Sequence, residues 1–185
     1  MIRGKFIAPG GDYGAALALR RAVFSDEQGF DPALDHDAYD DLSAHVLLYD
    51  QADGASEPAG DPVATGRLFW LEGEFVIGRV CVRRDRRGEK LGDLVMRMLL
   101  YKAMQHNAPS VALGAQKQAV GFYARYGFEP VEEYLDEGVL HVRMRVRGDR
   151  INLEGSCHKT QAGGCAHCGG CPEGGRHAEP DGPQP

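Results

Sequence analysis

An arginine- and glycine-rich turn at residues 83–92 has the clearest capacity for ligand chemistry in this chain. Before it, Ile77, Val80 and Val82 sit in a short β-branched run. After it, Leu91, Leu94, Val95, Met98 and Leu99 recur at the spacing of an amphipathic helix. Residues 79–102 hold eight Lys or Arg against three Asp or Glu, on a chain whose net charge is −6. The first N–H groups of a helix lack internal partners and carry the positive end of its dipole, so a basic strand–turn–helix suits an anionic phosphate. The expected cradle is Arg87, Gly88, Glu89, Lys90, Leu91 and Gly92.

Two other clusters carry chemical potential. Residues 31–41 contain five aspartates, which read either as a solvated loop with helix caps or as an acidic rim for a cationic substrate. Near the C-terminus, Cys157, Cys165, Cys168 and Cys171 lie in a glycine-rich stretch with His158, His167 and His177. Clustered cysteines at x2 spacing in a chain expected to be cytoplasmic favour metal over disulfides. Four thiolates are enough for tetrahedral Zn2+; an iron–sulfur cluster is the alternative ligand, and a segment without metal the third reading.

The elements that must position these groups follow from hydropathy. Strands are expected over 5–8, 45–49, 63–70, 77–82, 110–115 and 139–146. A first helix starts at the cap Asp12, carries Ala16, Leu19 and Val23 on one face, and fades at Gly29. A short helix over 118–126 ends at Gly127. The 185 residues, 43% hydrophobic and 26% charged, suit one domain with an appendage. Eight glycines in the last 35 residues, with only Ile151 and Leu153 as large aliphatics, place the boundary at about residue 148. The expected units are a domain over 1–148 and a Gly/Cys-rich tail over 149–185. No apolar run is long enough for a membrane span and the N-terminus lacks an apolar signal region, so a cytoplasmic protein without membrane contact is expected. Residues 1–60 hold four basic and eleven acidic residues, and no basic stripe suggests nucleic acid as a partner. No oligomeric state is read from the sequence.

Several stretches resemble the GNAT N-acetyltransferases. The phosphate loop of that family runs R/Q-x-x-G-x-G/A, and residues 87–92, RGEKLG, occupy its place. Residues 119–128, AVGFYARYGF, fit the later helix motif A-x-x-F-Y-x-x-x-G-F. Val23 and Phe24 with Glu27, Gln28 and Gly29, the run PVATGRL at 62–68, Ala115 and Gln116, and YLDEGV at 134–139 with His141 resemble the ElaA/YjcF-like subgroup. Lys90 departs from the loop pattern by placing a Cβ where a glycine allows close approach of the pyrophosphate.

The resemblance implies an α/β GNAT fold, a mixed and mostly antiparallel central sheet flanked by helices. It also implies acetyl transfer from acetyl-CoA to a primary amine, of a small molecule or a peptide, by direct attack. Val80, Cys81 and Val82 then stand on the strand that meets the pantetheine arm, and Gln116 lies beside the cofactor. Cys81 is read as a small buried residue rather than a nucleophile. Tyr123 takes the general-acid position, and Glu27 and His141 lead the candidates for the base, ahead of His45 and Asp37. The competing reading is a catalytically weak acyl-CoA-binding or regulatory protein whose cysteine tail senses metal or redox state.

Overall fold

The computed structural model describes residues 1–51, 60–136 and 138–154; the four tail cysteines lie outside the described residues. Seven strands form one sheet: β1 (Ile2–Ile7), β2 (Ala44–Asp50), β3 (Pro62–Leu71), β4 (Glu74–Val82), β5 (Ser110–Gln116), β6 (Glu129–Asp136) and β7 (Val139–Arg147). Their spatial order is β1-β2-β3-β4-β5-β7-β6, and every neighbouring pair is antiparallel except β4 with β5. The mixed, mostly antiparallel sheet flanked by helices is the architecture that the motifs implied.

Alternation along β2 explains how helices come to cover both faces. Val46 and Leu48 join the larger core, which includes Val95, Leu99 and Leu100 of α3 (Leu91–Gln105). Leu47 and Tyr49, one residue out of phase, pack with Ala16 of α1 (Gly14–Arg20) on the other face. Helix α3 approaches β3 closely because Gly66 has no side chain. A Cβ there would lie 2.8 Å from Val95 Cγ1 and 3.0 Å from Leu99 Cδ1.

Three local features go beyond the hydropathy pattern. Helix α1 continues as a wider π-helical stretch, Arg21–Glu27, before Gly29 stops it with φ +77°. A one-turn helix α2 (Pro32–Asp35), capped by Asp31, interrupts the aspartate-rich stretch. Strand β6 pairs with β7 alone and is exposed along its whole length. Having no buried side, it has no alternation to betray it; the residue pattern predicted one strand at the C-terminal end, and only the family order implied two. The predicted helix over 118–126 is a 3-10 turn, Lys117–Ala119, followed by α4 (Val120–Ala124). Packing also runs past residue 148, since Ile151 and Leu153 join the larger core and Asn152 N–H donates to the Tyr126 carbonyl at 3.0 Å.

Strands β4 and β5 part company early. Their parallel pairing covers only Phe75–Val111, Val76–Ala112 and Ile77–Leu113. On the other edge of β4, Gly66 faces two residues, Arg79 and Val80, between the pairs Arg67–Gly78 and Thr65–Cys81. That is a β-bulge, which bends and twists the strand that carries it. Below the opening, Glu74 clamps the sheet: Arg145 donates to it at 2.7 and 2.8 Å, Ser110 at 3.1 Å and Arg143 at 3.3 Å.

The close approach at Gly66 is directly testable. Gly66→Ala should destabilise the fold by about 1–3 kcal/mol in urea melts, because Val95 and Leu99 are packed on both sides and cannot both give way.

Candidate active site

The opening between β4 and β5 is a cavity of about 250 Å³. Gly78, Arg79 and Val80 line it from β4, and Leu113, Gly114 and Gln116 from β5. Tyr123 and His141 face it from α4 and β7. Phe24, Gln28, Phe30, Asp31, Leu34 and Asp35 form the opposite wall.

Tyr123 packs edge-on against Phe122 at a centroid distance of 5.0 Å. Burial pushes its phenol up to about 12, so it stays protonated throughout the neutral range. On β7, His141 lies between Gln116 of β5 and Tyr134 of β6, and its ring stacks on Tyr134 at 5.7 Å. Its Nδ1 is 3.0 Å from the Val139 carbonyl oxygen. A carbonyl only accepts, so Nδ1 donates, and in the neutral ring the lone pair lies on Nε2.

Of the four groups considered as a base, only His141 lines the cavity. Glu27 pairs bidentately with Arg87 at 2.6 and 2.7 Å, and that hydrogen bonding holds its carboxyl below the usual range. His45 is buried and donates from Nε2 to the Asp40 carbonyl at 2.9 Å. Asp37 accepts both Nη groups of Arg67, at 2.7 and 2.6 Å.

In the aspartate-rich stretch Asp31 is a helix cap as one reading expected, while three of the five carboxylates meet three arginines. Arg20, 1% exposed on α1, bonds Asp35 at 3.1 Å and Asp40 at 2.6 Å. Arg67 pairs with Asp37 and with Asp40, the latter at 2.6 Å. Arg79 donates to the carbonyls of Leu34 and Asp35 at 2.9 and 3.1 Å, and to Asp37 at 3.2 Å. Burial alone would raise the Asp40 carboxyl. The hydrogen bonds from Arg20 and the Asp37 N–H, with the charges of Arg67 and Arg20, outweigh burial and hold it well below the carboxylate range. Arg79 also has φ +54°, an unfavourable conformation for a non-glycine residue, and its three hydrogen bonds hold it there. Sequence reasoning missed Arg79. The available signal was Gly78–Arg79 breaking a β-branched run, a pattern that marks bulges.

The phosphate turn leads into α3 as expected, and no side chain caps that helix. Gly88 has φ +87°, and Lys90, at the N-cap, has φ +61°. Lys90 therefore occupies the left-handed conformation for which glycine is the cheapest residue. Its exposed side chain leaves the N-terminus of α3 uncapped. Glu89 is held by Arg86 at 2.8 Å through both carboxylate oxygens, so its backbone is what remains for a ligand. Leu91 is buried in the core, and a Cβ added at Gly92 would meet Val82 and Phe122 at ordinary contact distance. Cys81 is 6% exposed among Leu19, Val23 and Phe24, with burial pushing its thiol up to about 12; a thiol so placed is inert packing. The exposed N-terminus of a 15-residue helix, beside an opened sheet edge, fits the pyrophosphate and arm of a CoA thioester.

The family model described as "Acetyltransferase (GNAT) domain" matches residues 59–147. ElaA of Escherichia coli K12 is 35% identical over 136 residues, spanning 70% of this chain and 84% of that protein. The uncharacterized N-acetyltransferase YjcF of Bacillus subtilis is 30% identical over 131 residues, 70% of this chain and 88% of that one. The chain belongs to the GNAT acetyltransferase family. The crystal structure of E. coli ElaA superposes on this acetyltransferase with a TM-score of 0.66 at 34% identity, covering 78% of this chain and 99% of that one. An acyl-CoA N-acyltransferase from Pseudomonas aeruginosa gives 0.66 at 29% identity, over 78% and 99% of the two chains. As a GNAT fold it is an acyl-CoA N-acyltransferase architecture. Among the described residues no group of three or more His, Cys, Asp or Glu is placed to hold a metal ion, and no helix is long and apolar enough to cross a membrane.

Two measurements probe this site. Asp40→Asn should cost about 3–5 kcal/mol at pH 7 in urea melts, because Arg20 and Arg67 stay buried with less negative charge. A depressed carboxyl contributes stability above its unfolded value of about 4, and that stability is lost as pH falls through the folded value. The gap between the two proteins should therefore narrow below about pH 4. Lys90→Gly should raise stability by about 0.5–1 kcal/mol by relieving the positive φ.

Proposed function

We propose that the protein is an acetyl-CoA-dependent N-acetyltransferase that acetylates a primary amine by direct attack, with Tyr123 as general acid and His141 as general base. The observation that carries this reading is that Tyr123 and His141 face one cavity, at the point where β4 leaves β5. Acetyl-CoA supplies the activated acyl carbon and a thiolate leaving group. The backbone N–H groups at the start of α3, with Gly88, Lys90 and Gly92, take the pyrophosphate. Val80 and Val82 offer the edge of β4 to the pantetheine arm, while Gln116 lines the facing strand.

His141 Nε2, with its lone pair free, takes a proton from the acceptor ammonium and leaves the amine nucleophilic. As the C–S bond breaks, Tyr123 passes its hydroxyl proton to the sulfur, so that CoA leaves as a thiol. Burial keeps the phenol protonated at neutral pH, and the Nδ1 bond selects the tautomer of the neutral imidazole that carries its lone pair on Nε2. Glu27 fits a supporting role better than that of base, since it anchors Arg87 at the mouth of the phosphate turn. The tail cysteines enter no step.

Tyr123→Phe should lower kcat by about 10²–10⁴-fold, read as CoA thiol release, and leave the acetyl-CoA dissociation constant within about threefold. Because the phenol titrates only near 12, the native pH–rate profile should show no alkaline fall attributable to Tyr123 below about pH 11. His141→Gln should lower kcat by a comparable factor. Undiminished turnover by Tyr123→Phe would remove the acid from the mechanism. Acetyl-CoA binding without turnover of any amine would favour the acyl-CoA-binding regulatory reading instead.

A further inference from the structure

We propose that the acceptor is a zwitterion, an amine with a carboxylate beside it as in an α-amino acid, and that its carboxylate lies over Gly78 against Arg67 and Arg79. The inference rests on the acetyltransferase reading and names the substrate class of the same cavity. Gly78 lines the cavity, and a Cβ built on it would meet a single atom within 4 Å, Arg67 Nε at 3.6 Å. The space left by the missing side chain therefore lies next to that nitrogen. Arg67 is 4% exposed, and its Nε is buried with no hydrogen-bond partner, although both its Nη groups are bound by carboxylates. An N–H dehydrated and unpaired beneath a glycine of the cavity wall is a donor awaiting an oxygen.

The next residue supplies a second donor. Arg79 lines the same cavity and spends Nε and Nη2 on Leu34, Asp35 and Asp37, while its Nη1 makes no hydrogen bond among the described residues. Two adjacent guanidinium groups with unspent N–H donors select an oxygen-rich anion of carboxylate size, since charge-assisted bonds to it are the strong ones. Around the same cavity, Asp31 and Asp136 lie outside every ion pair among the described residues. They favour positive charge at the amine end, beside His141. A diamine or polyamine would bring its second cation beside the Arg79 guanidinium, whereas a zwitterion sets its carboxylate there. Phe24, Phe30 and Leu34 complete an apolar wall for the substituent between the two charged ends.

The test compares phenylalanine with phenethylamine and phenylalaninamide as acceptors, acetyl-CoA as donor, by kcat/KM for CoA thiol release. The native protein should prefer phenylalanine roughly tenfold to a hundredfold over both analogues. Gly78→Ala should abolish the preference by filling the space over Arg67 Nε. Its Cβ makes only an ordinary van der Waals contact there, so the variant keeps the fold. Arg79→Met should weaken the preference independently. Equal turnover of the three acceptors by the native protein overturns the carboxylate site while leaving the acetyltransferase reading intact. A preference for phenylalaninamide overturns it in favour of a peptide amine. If both variants slow all three acceptors alike, the donors serve the acyl group and the proposal falls. If the native protein turns over none of them, nor any simple primary amine, the acetyltransferase reading itself fails and takes this one with it.

Discussion

Two adjacent parallel strands normally stay hydrogen-bonded until one of them ends. Here β4 and β5 share three residue pairs and then diverge, although β4 runs five residues further. The bulge at Arg79 and Val80 bends β4 toward β3 just past the last shared pair. The Glu74 clamp, bonded to β5 through Ser110 and to β7 through Arg143 and Arg145, keeps the lower part of the sheet closed. A sheet closed at one end and bent at the other must open between them. The cavity, the edge available to a CoA arm and the convergence of Tyr123 with His141 all depend on that opening.

The bulge has its own support. A non-glycine residue at positive φ is strained, and the strain persists only where surrounding structure over-determines it. Arg79 meets that condition through the carbonyls of Leu34 and Asp35 and the carboxylate of Asp37. Those contacts hold the α2 wall across the cavity. Arg20 and Arg67, bound to the same group of aspartates, tie that wall to α1 and β3. Three guanidinium groups and three carboxylates balance in charge, which is how so polar a cluster survives burial. Its geometric consequence is that the α2 wall, the sheet opening and the first helix are tied to one another. Glu27 extends the linkage to the phosphate turn through Arg87.

Much of this was legible in the residues. The change of hydropathy period around residues 83–92 located a strand, a turn and a helix, and all three are present as read. Residues 119–128 located Tyr123, and the β-branched context of Cys81 marked it as packing. Lys90 stood out as an irregularity, and its φ of +61° supplies the reason glycine is usual there. The exposed strand β6 and the one-turn helix α2 were hidden from the residue pattern, because neither buries a face that would impose a period.

Sequence by itself determined the local structure: which segments pair or coil, and where a basic turn leads into a helix. Such features depend on neighbours a few residues away, and spacing reports them. Only the tertiary structure separated His141, which lines the cavity, from Glu27, His45 and Asp37, which are bound to other protein groups. It likewise showed three of the five aspartates, Asp35, Asp37 and Asp40, to be partners of arginines lying fifteen to forty-four residues away, and left Arg67 Nε unpaired beneath Gly78. Pairing of charges across elements leaves no period in the chain, so packing alone reveals it.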